Sequence, residues 1–339
     1  MYYVDATSTR FNKIRENKMS ANLKMFDLSG RKALVTGASG GIGKGYATAL
    51  AAAGADVAIL CRNGVAGEKV AKEIAETYGV QAIYQYCDVS DEKSVDSAVA
   101  GVVEKFGRLD IGVNNAGIGI LGGDENYSLD DWNKVIGVNM TGVWLCARAE
   151  GRVFIKQGGG GKIINTASMS ARISNCNASY NASKAAVVEI TRMLAAEWGA
   201  YNINVNCISP SYLLSPMHAS TPLEARARIR ELTPLGYVER PEDLYGPVVF
   251  LASDASNYVT GHDLLVDGGH TLNAWMAPLG RAVPPRVSPE EECAQLKRDL
   301  ATLDVPCDAN GLNFELHPEI AGAYRAMLKT DEQGEATTK

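Results

Sequence analysis

Residues 32–61 read KALVTGASGGIGKGYATALAAAGADVAILC. A short apolar run, Lys32–Thr36, leads directly into a glycine turn, Gly37 to Gly43. An alanine-rich helix follows, about Ile42 to Ala53, and then a second apolar run, Asp56–Cys61. Strand, glycine turn, helix and strand make one βαβ unit. Glycine admits positive φ and lets the backbone come close to a ligand. The helix N-terminus behind the turn offers free N–H groups and a positive dipole end to a pyrophosphate. The spacing is G-x-x-x-G-x-G, not the commoner G-x-G-x-x-G. On this stretch alone, a tight turn with no ligand remains the alternative.

Outward from this unit the alternation continues. Helices are expected at about 65–78, 90–106, 129–156, 180–198 and 241–251, with one more ending near Leu232. Strands are expected at Ala82–Tyr86, Asp110–Val113, Lys162–Asn165, Asn204–Ile208 and Asp263–Val266. Long crossovers force parallel pairing, and strands covered on both faces read as apolar runs. The predicted fold class is α/β: a doubly wound, parallel, seven-stranded sheet (Rossmann-like) with helices on both faces. Ligands in such sheets bind beyond the carboxyl ends of the strands. Gly37–Gly43, Cys61–Arg62, Asp88, Asn114–Gly117, Ser168 and Pro210–Ser215 all fall at such ends.

The second informative stretch is KIINTASMSARISNCNASYNASK, Lys162 to Lys184. Tyr180 and Lys184 stand at i and i+4, one turn apart on one helical face. An ammonium beside a phenol favours the phenolate, so the pair predicts a lowered Tyr180 pKa and a proton donor or acceptor near neutrality. Ser168, after the preceding strand, can meet the same substrate oxygen. Taken alone, Y-x-x-x-K more often marks an ordinary amphipathic helix with a packed tyrosine and a surface lysine.

The totals bound the partners. A chain of 339 residues, 46% hydrophobic and 21% charged, has the composition of a soluble globular protein. The formal charge is −6 with no basic stripe, so nucleic acid is not an expected partner. No apolar run is long enough to span a bilayer, so no membrane partner is expected. The seven cysteines are scattered and never form C-x-x-C, which predicts a reduced, cytoplasmic chain without a metal site. Three regions are expected: a disordered arm at 1–27, a catalytic domain at 28–272, and a C-terminal extension at 273–339. Met19 or Met25 is an alternative start. In the extension, a Pro/Arg linker (Pro278 to Pro289) precedes two short helices, Ser288 to Leu303 and His317 to Leu328. Two such helices cannot bury a core alone. They are expected to pack on a neighbouring subunit or over the site mouth.

With these motifs in place, the chain resembles the short-chain dehydrogenase/reductase family over about Leu28–Leu272. Thr36–Gly43 (TGASGGIG) resembles its cofactor loop, Asn114–Gly117 (NNAG) its signature after the fourth strand, and Val266–Gly269 (VDGG) its terminal motif. Asn139, Ser168, Tyr180 and Lys184 match its catalytic four. The resemblance implies hydride transfer between a nicotinamide cofactor and a carbonyl carbon. Tyr180 would move the proton, Ser168 would hold the carbonyl oxygen, and Lys184 would hold the ribose hydroxyls and depress the Tyr180 pKa. Asn139 would hold a water that relays protons to Lys184; an Asn at a helix kink is the alternative. Two departures stand out. Ser168 and Tyr180 are twelve residues apart where the family more often has thirteen, and Ser211 replaces the usual Gly after Pro210.

The expected cofactor site comprises Gly37, Ser39, Gly41, Ile42, Gly43, Arg62, Asn63, Asp88, Val89, Asn115, Tyr180, Lys184, Pro210 and Ser215. NAD-preferring relatives carry an acid at the end of the second strand. Here Cys61, Arg62 and Asn63 stand there, and an arginine fork suits a 2′-phosphate. The expected cofactor is therefore NADP, with NAD possible; Gly40, where many NADP users place an arginine, argues the other way. Ile120, Ser170, Cys176 and Tyr212 are the expected substrate contacts, with Asn177 beside them. The mixed polar and apolar walls predict a small secondary alcohol or ketone, a polyol or sugar-derived ketone. Alternatives are a gluconate 5-dehydrogenase-like or 3-oxoacyl-carrier reductase, and a non-catalytic NADP-binding regulator. Arg148, Arg152 and Arg172 are candidates for a carrier-protein patch. The resemblance also implies a homodimer or homotetramer.

Overall fold

A computed structural model describes residues 23–120, 122–213 and 223–272. The expectations for the C-terminal extension, for most of the N-terminal arm and for Ser215 lie outside these residues. The end of the arm forms a 3-10 turn, Lys24–Phe26.

Seven strands form one all-parallel sheet: β1 (Lys32–Thr36), β2 (Asp56–Cys61), β3 (Ala82–Tyr86), β4 (Ile111–Asn114), β5 (Gly161–Thr166), β6 (Ile203–Pro210) and β7 (Asp263–Val266). Their spatial order is β3-β2-β1-β4-β5-β6-β7. The order reverses between β1 and β4, which makes their C-terminal ends the switch point where a crevice opens. Among the described residues there are eight α-helices: α1 (Gly41–Ala52), α2 (Gly64–Tyr78), α3 (Glu92–Phe106), α4 (Leu129–Ile136), α5 (Gly142–Gln157), α6 (Ala178–Trp198), α7 (Leu223–Leu232) and α8 (Tyr245–Ala252).

Successive strand residues point to opposite faces, and both faces are buried. Ala33, Val35, Val57, Ile59, Ile111 and Val113 pack with Tyr46 and Leu50 of α1, Val70 of α2 and Val248 of α8. Leu34, Leu60, Ile163 and Val205 pack on the other face with Val99 of α3, Phe154 of α5 and Trp198 of α6. Each fully buried Leu or Ile of this kind contributes about 1.5–3 kcal/mol. That is why the strands read as unbroken apolar runs.

Two expected helices are divided. The stretch expected as one helix from 129 to 156 contains a π-helical turn at Gly137–Thr141, between α4 and α5. Such turns insert a residue into the helical ladder and are common at functional sites; this one carries Asn139, which is fully buried. The stretch expected as a helix from Pro241 begins as a 3-10 turn, Pro241–Leu244, before α8. Pro247 lacks an N–H and is tolerated only in a first turn, so the α-helical ladder restarts at Tyr245.

Candidate active site

The glycine turn between β1 and α1 is shaped by contact. Gly37 has φ +66°, and a Cβ there would lie 2.9 Å from the Ala116 Cα. A Cβ on Gly43 would lie 2.4 Å from the Gly37 carbonyl oxygen and 2.5 Å from Asn115 Nδ2. The turn is stitched to the end of β4. Thr36 Oγ1 accepts from the N–H groups of Asn115 (3.0 Å) and Ala116 (3.1 Å), and Asn115 Nδ2 donates to the Thr36 carbonyl at 3.1 Å. Side chains cap α2 (Asn63), α3 (Asp91), α4 (Ser128) and α6 (Asn177), whereas α1 starts at Gly40, which has none to offer. The first N–H groups of α1 therefore remain available to an anion.

A cavity of about 440 Å³ runs along the strand ends. Gly37, Ser39, Gly41, Ile42, Arg62, Asn63, Asp88, Val89 and Asn115 line one end; Ser168, Tyr180, Lys184 and Pro210 line the other. Its volume falls within the range of small-molecule and cofactor sites. The glycine cradle, the uncapped helix start and the cavity size together fit a dinucleotide. At its far end, Arg62 has a 69% exposed side chain whose Nη1 stands 3.9 Å from Asp88 Oδ2. Asp88 Oδ1 accepts from the Ser90 N–H and hydroxyl, which hold its carboxyl below the usual range. Lys44 is occupied by Glu73, 2.9 Å away. Asn63 also has a local task, accepting from Ala66 N–H.

At the catalytic end, Ser168 accepts from the Ser170 N–H and donates to the Ser170 hydroxyl, each at 3.1 Å. It also lies close enough to the Tyr180 phenol to favour the ionised form. Lys184 Nζ donates to the Thr166 carbonyl at 2.8 Å and lies 5.7 Å from the centroid of the Tyr180 ring. Burial pushes the Lys184 pKa down to about 8. The expected depression of the Tyr180 pKa is not met: burial pushes it up to about 12, Cys176 adds to the rise, and the Ser168 hydroxyl opposes it. The i,i+4 spacing brings the ammonium against the ring while its proton goes to a carbonyl. Desolvation of the phenolate therefore outweighs attraction to the lysine.

The Asn139 side chain clamps the loop that follows β4. Its Oδ1 accepts from the Ile118 N–H at 2.8 Å, and its Nδ2 donates to the Ile118 carbonyl (2.9 Å) and to Ser183 Oγ (3.2 Å). The clamp fixes the loop after β4 beside Gly117, where a Cβ would stand 3.4 Å from Asn139 Oδ1 and 3.5 Å from Lys184 Nζ.

The expected substrate residues are placed differently from one another. The Ile120 carbonyl accepts from Tyr127 Oη (3.1 Å) and from Asn177 Nδ2 (2.5 Å), and Asn177 also caps α6, so this pair ties the loop to the helix. Ser170 is buried against Ser168, and Cys176 is exposed. Tyr212 accepts from Asn175 Nδ2 at 3.2 Å, stacks edge-on with His270, and faces a second cavity of about 170 Å³. The residues not foreseen are Thr166 and the buried Glu239. Both act through contacts with backbone groups that no spacing reveals. The three arginines considered for a carrier protein are each paired with an acid: Arg148 with Glu92, Arg152 with Asp96 and Arg172 with Asp263. No helix among the described residues is long and apolar enough to cross a membrane.

Comparison with known proteins agrees with this geometry. The family profile described as Enoyl-(Acyl carrier protein) reductase matches residues 37–271. A sorbose reductase of Candida albicans is 40% identical over 254 residues, spanning 74% of this chain and 90% of the relative. A probable NADP-dependent mannitol dehydrogenase of Yarrowia lipolytica is 39% identical over 259 residues, 75% of this chain and 92% of the relative. Among solved structures, a gluconate 5-dehydrogenase of Burkholderia cenocepacia in complex with NADP and tartrate superposes with a TM-score of 0.71. It is 35% identical and covers 74% of this chain and 99% of its own.

Proposed function

This chain belongs to the short-chain dehydrogenase/reductase family, and on that premise we propose that it is an NADP(H)-dependent oxidoreductase acting on a polyol or sugar-derived ketone. The observation that carries the reading is the convergence of Ser168 and Tyr180 beside Lys184, in the same cavity as a glycine cradle and Arg62. The glycine turn and the start of α1 would hold the pyrophosphate, Arg62 the 2′-phosphate, and Lys184 the ribose hydroxyls. When bound, the cofactor supplies the hydride and, in its oxidised form, a positively charged ring. Tyr180, protonated at neutral pH, gives its proton to the carbonyl oxygen during reduction. Ser168 Oγ hydrogen-bonds that oxygen as negative charge develops. Asn139 holds the loop after β4, which lines the same cavity.

NADP(H) is favoured by Arg62 and by the NADP named for the mannitol dehydrogenase and gluconate 5-dehydrogenase relatives. The sorbose and mannitol relatives favour a ketose or polyol substrate. A gluconate-type substrate is the second reading, supported by the gluconate 5-dehydrogenase structure. A homodimer or homotetramer belongs to the same proposal, supported by Trp144 and Ile155 of α5 and Met193 of α6, all exposed on helix surfaces; a monomer mass in light scattering would remove it. The cytoplasmic setting and the division at 28–272 are also part of this reading. The test of function is paired assays with NADPH and NADH against ketoses, 5-keto acids, 3-oxoacyl esters and enoyl esters. Turnover of a ketose or 5-keto acid with NADPH is expected; turnover confined to acyl esters refutes the proposal.

A further inference from the structure

Ser211 follows Pro210 at the end of β6 and lies on the wall between the 440 Å³ cleft and the 170 Å³ cavity, lining both. It is partly exposed, so a ligand can reach it. Its hydroxyl donates to Met169 Sδ at 3.3 Å. A thioether is a weak acceptor, so this hydroxyl gains by exchanging sulfur for oxygen. Met169 directly follows Ser168, which also lines the cleft. The hydroxyl is thus held toward the Ser168 side of the cleft.

The backbone that presents Ser211 is fixed from behind. Its N–H donates to Glu239 Oε2 at 2.6 Å, and Leu213 bridges to Glu239 as a short parallel pairing. Glu239 is only 7% exposed, and its Oε1 has no partner. Burial, with Asp243 and Asp267 nearby, holds its carboxyl well above the usual range. A carboxyl shifted in this direction anchors the segment while favouring its uncharged form.

Resting on the polyol or ketose reading above, we propose that Ser211 is a specificity-determining residue. Its hydroxyl takes a substrate hydroxyl borne beside the reacting carbon, so the cleft selects hydroxy ketones over simple ketones. Glu239 is the positioning residue that holds it there.

The isosteric pair hydroxyacetone and 2-butanone isolates this contact. The experiment measures kcat/KM with NADPH for the full chain and for S211A, S211T, E239Q and E239A, alongside the best ketose of the panel. Wild type should favour hydroxyacetone, and S211A should shrink the ratio by about ten- to hundredfold. S211T, which keeps the hydroxyl, should restore most of the ratio. E239Q keeps an acceptor for the Ser211 N–H and should retain it, whereas E239A should lose it mainly through the KM for hydroxyacetone. An S211A ratio equal to wild type overturns the proposal while ketose turnover stands. Wild-type turnover of no ketose at all overturns the functional reading, and the inference falls with it.

Discussion

Replacing Glu150 by Gln should stabilise the chain at alkaline pH and leave it nearly unchanged in acid. Glu150 lies on α5, is fully buried, and fits only because Gly112 faces it: a Cβ there would stand 2.2 Å from its carboxyl carbon. Its Oε2 accepts from Asn114 Nδ2 at 3.0 Å, and Oε1 has no partner. Asn114 continues the chain to Asn165 (3.1 Å), which donates to Thr191 (3.0 Å). Burial dominates this environment and pushes the carboxyl from 4.5 to about 8, with Cys87 adding to the rise and Asn114 opposing it. The unfolded chain ionises first, so stability is full below about pH 4.5, falls as pH rises, and levels off above about pH 8. At about 1.4 kcal/mol per pH unit, the whole interval is worth on the order of 5 kcal/mol. Between about pH 5.5 and pH 8.5, linkage assigns about 3 kcal/mol of it. Gln keeps the acceptor for Asn114 and does not titrate. Urea unfolding of both proteins at matched concentration should therefore show E150Q gaining about 3 kcal/mol on wild type across that range. Other titrating groups cancel in the difference. A difference that does not change with pH would refute the reasoning.

Two further predictions concern the cofactor end. Arg62→Asp should weaken NADPH binding by about ten- to hundredfold and NADH binding far less, read by fluorescence titration; equal losses would remove Arg62 from the 2′-phosphate. Gly43→Ala forces a Cβ to within 2.4 Å of the Gly37 carbonyl. It should cost about 1–3 kcal/mol of stability and most of the NADPH affinity, and wild-type melting with wild-type affinity would contradict the cradle.

The order of elements is legible in the sequence because each strand is buried on both faces and each crossover is long enough for a helix. β1, β2, β3 and β7 coincide with the runs Lys32–Thr36, Asp56–Cys61, Ala82–Tyr86 and Asp263–Val266. β5 and β6 extend past their apolar runs into Thr166 and Pro210, polar or ring-closed residues that composition does not mark as strand. The π turn at Asn139 is also silent in the sequence. Hydrophobic periodicity carries across one inserted residue, and only the Asn139–Ile118 clamp shows why the insertion is held. The Tyr180–Lys184 spacing correctly places both residues at the cleft, but spacing says nothing about desolvation, which reverses the expected sign at Tyr180. Glu239 and Glu150 escape notice for a related reason. A lone Glu in a sequence reads as surface, and burial of either depends on partners 28 and 36 residues away.

The central claim is that Tyr180 supplies the proton during hydride transfer. Tyr180→Phe keeps the ring against Lys184 and removes only the hydroxyl. With NADPH and a ketose that the wild type reduces, kcat should fall by about 10²–10⁴-fold while NADPH binding, titrated by fluorescence, is kept. Retention of wild-type kcat by this variant would contradict the account.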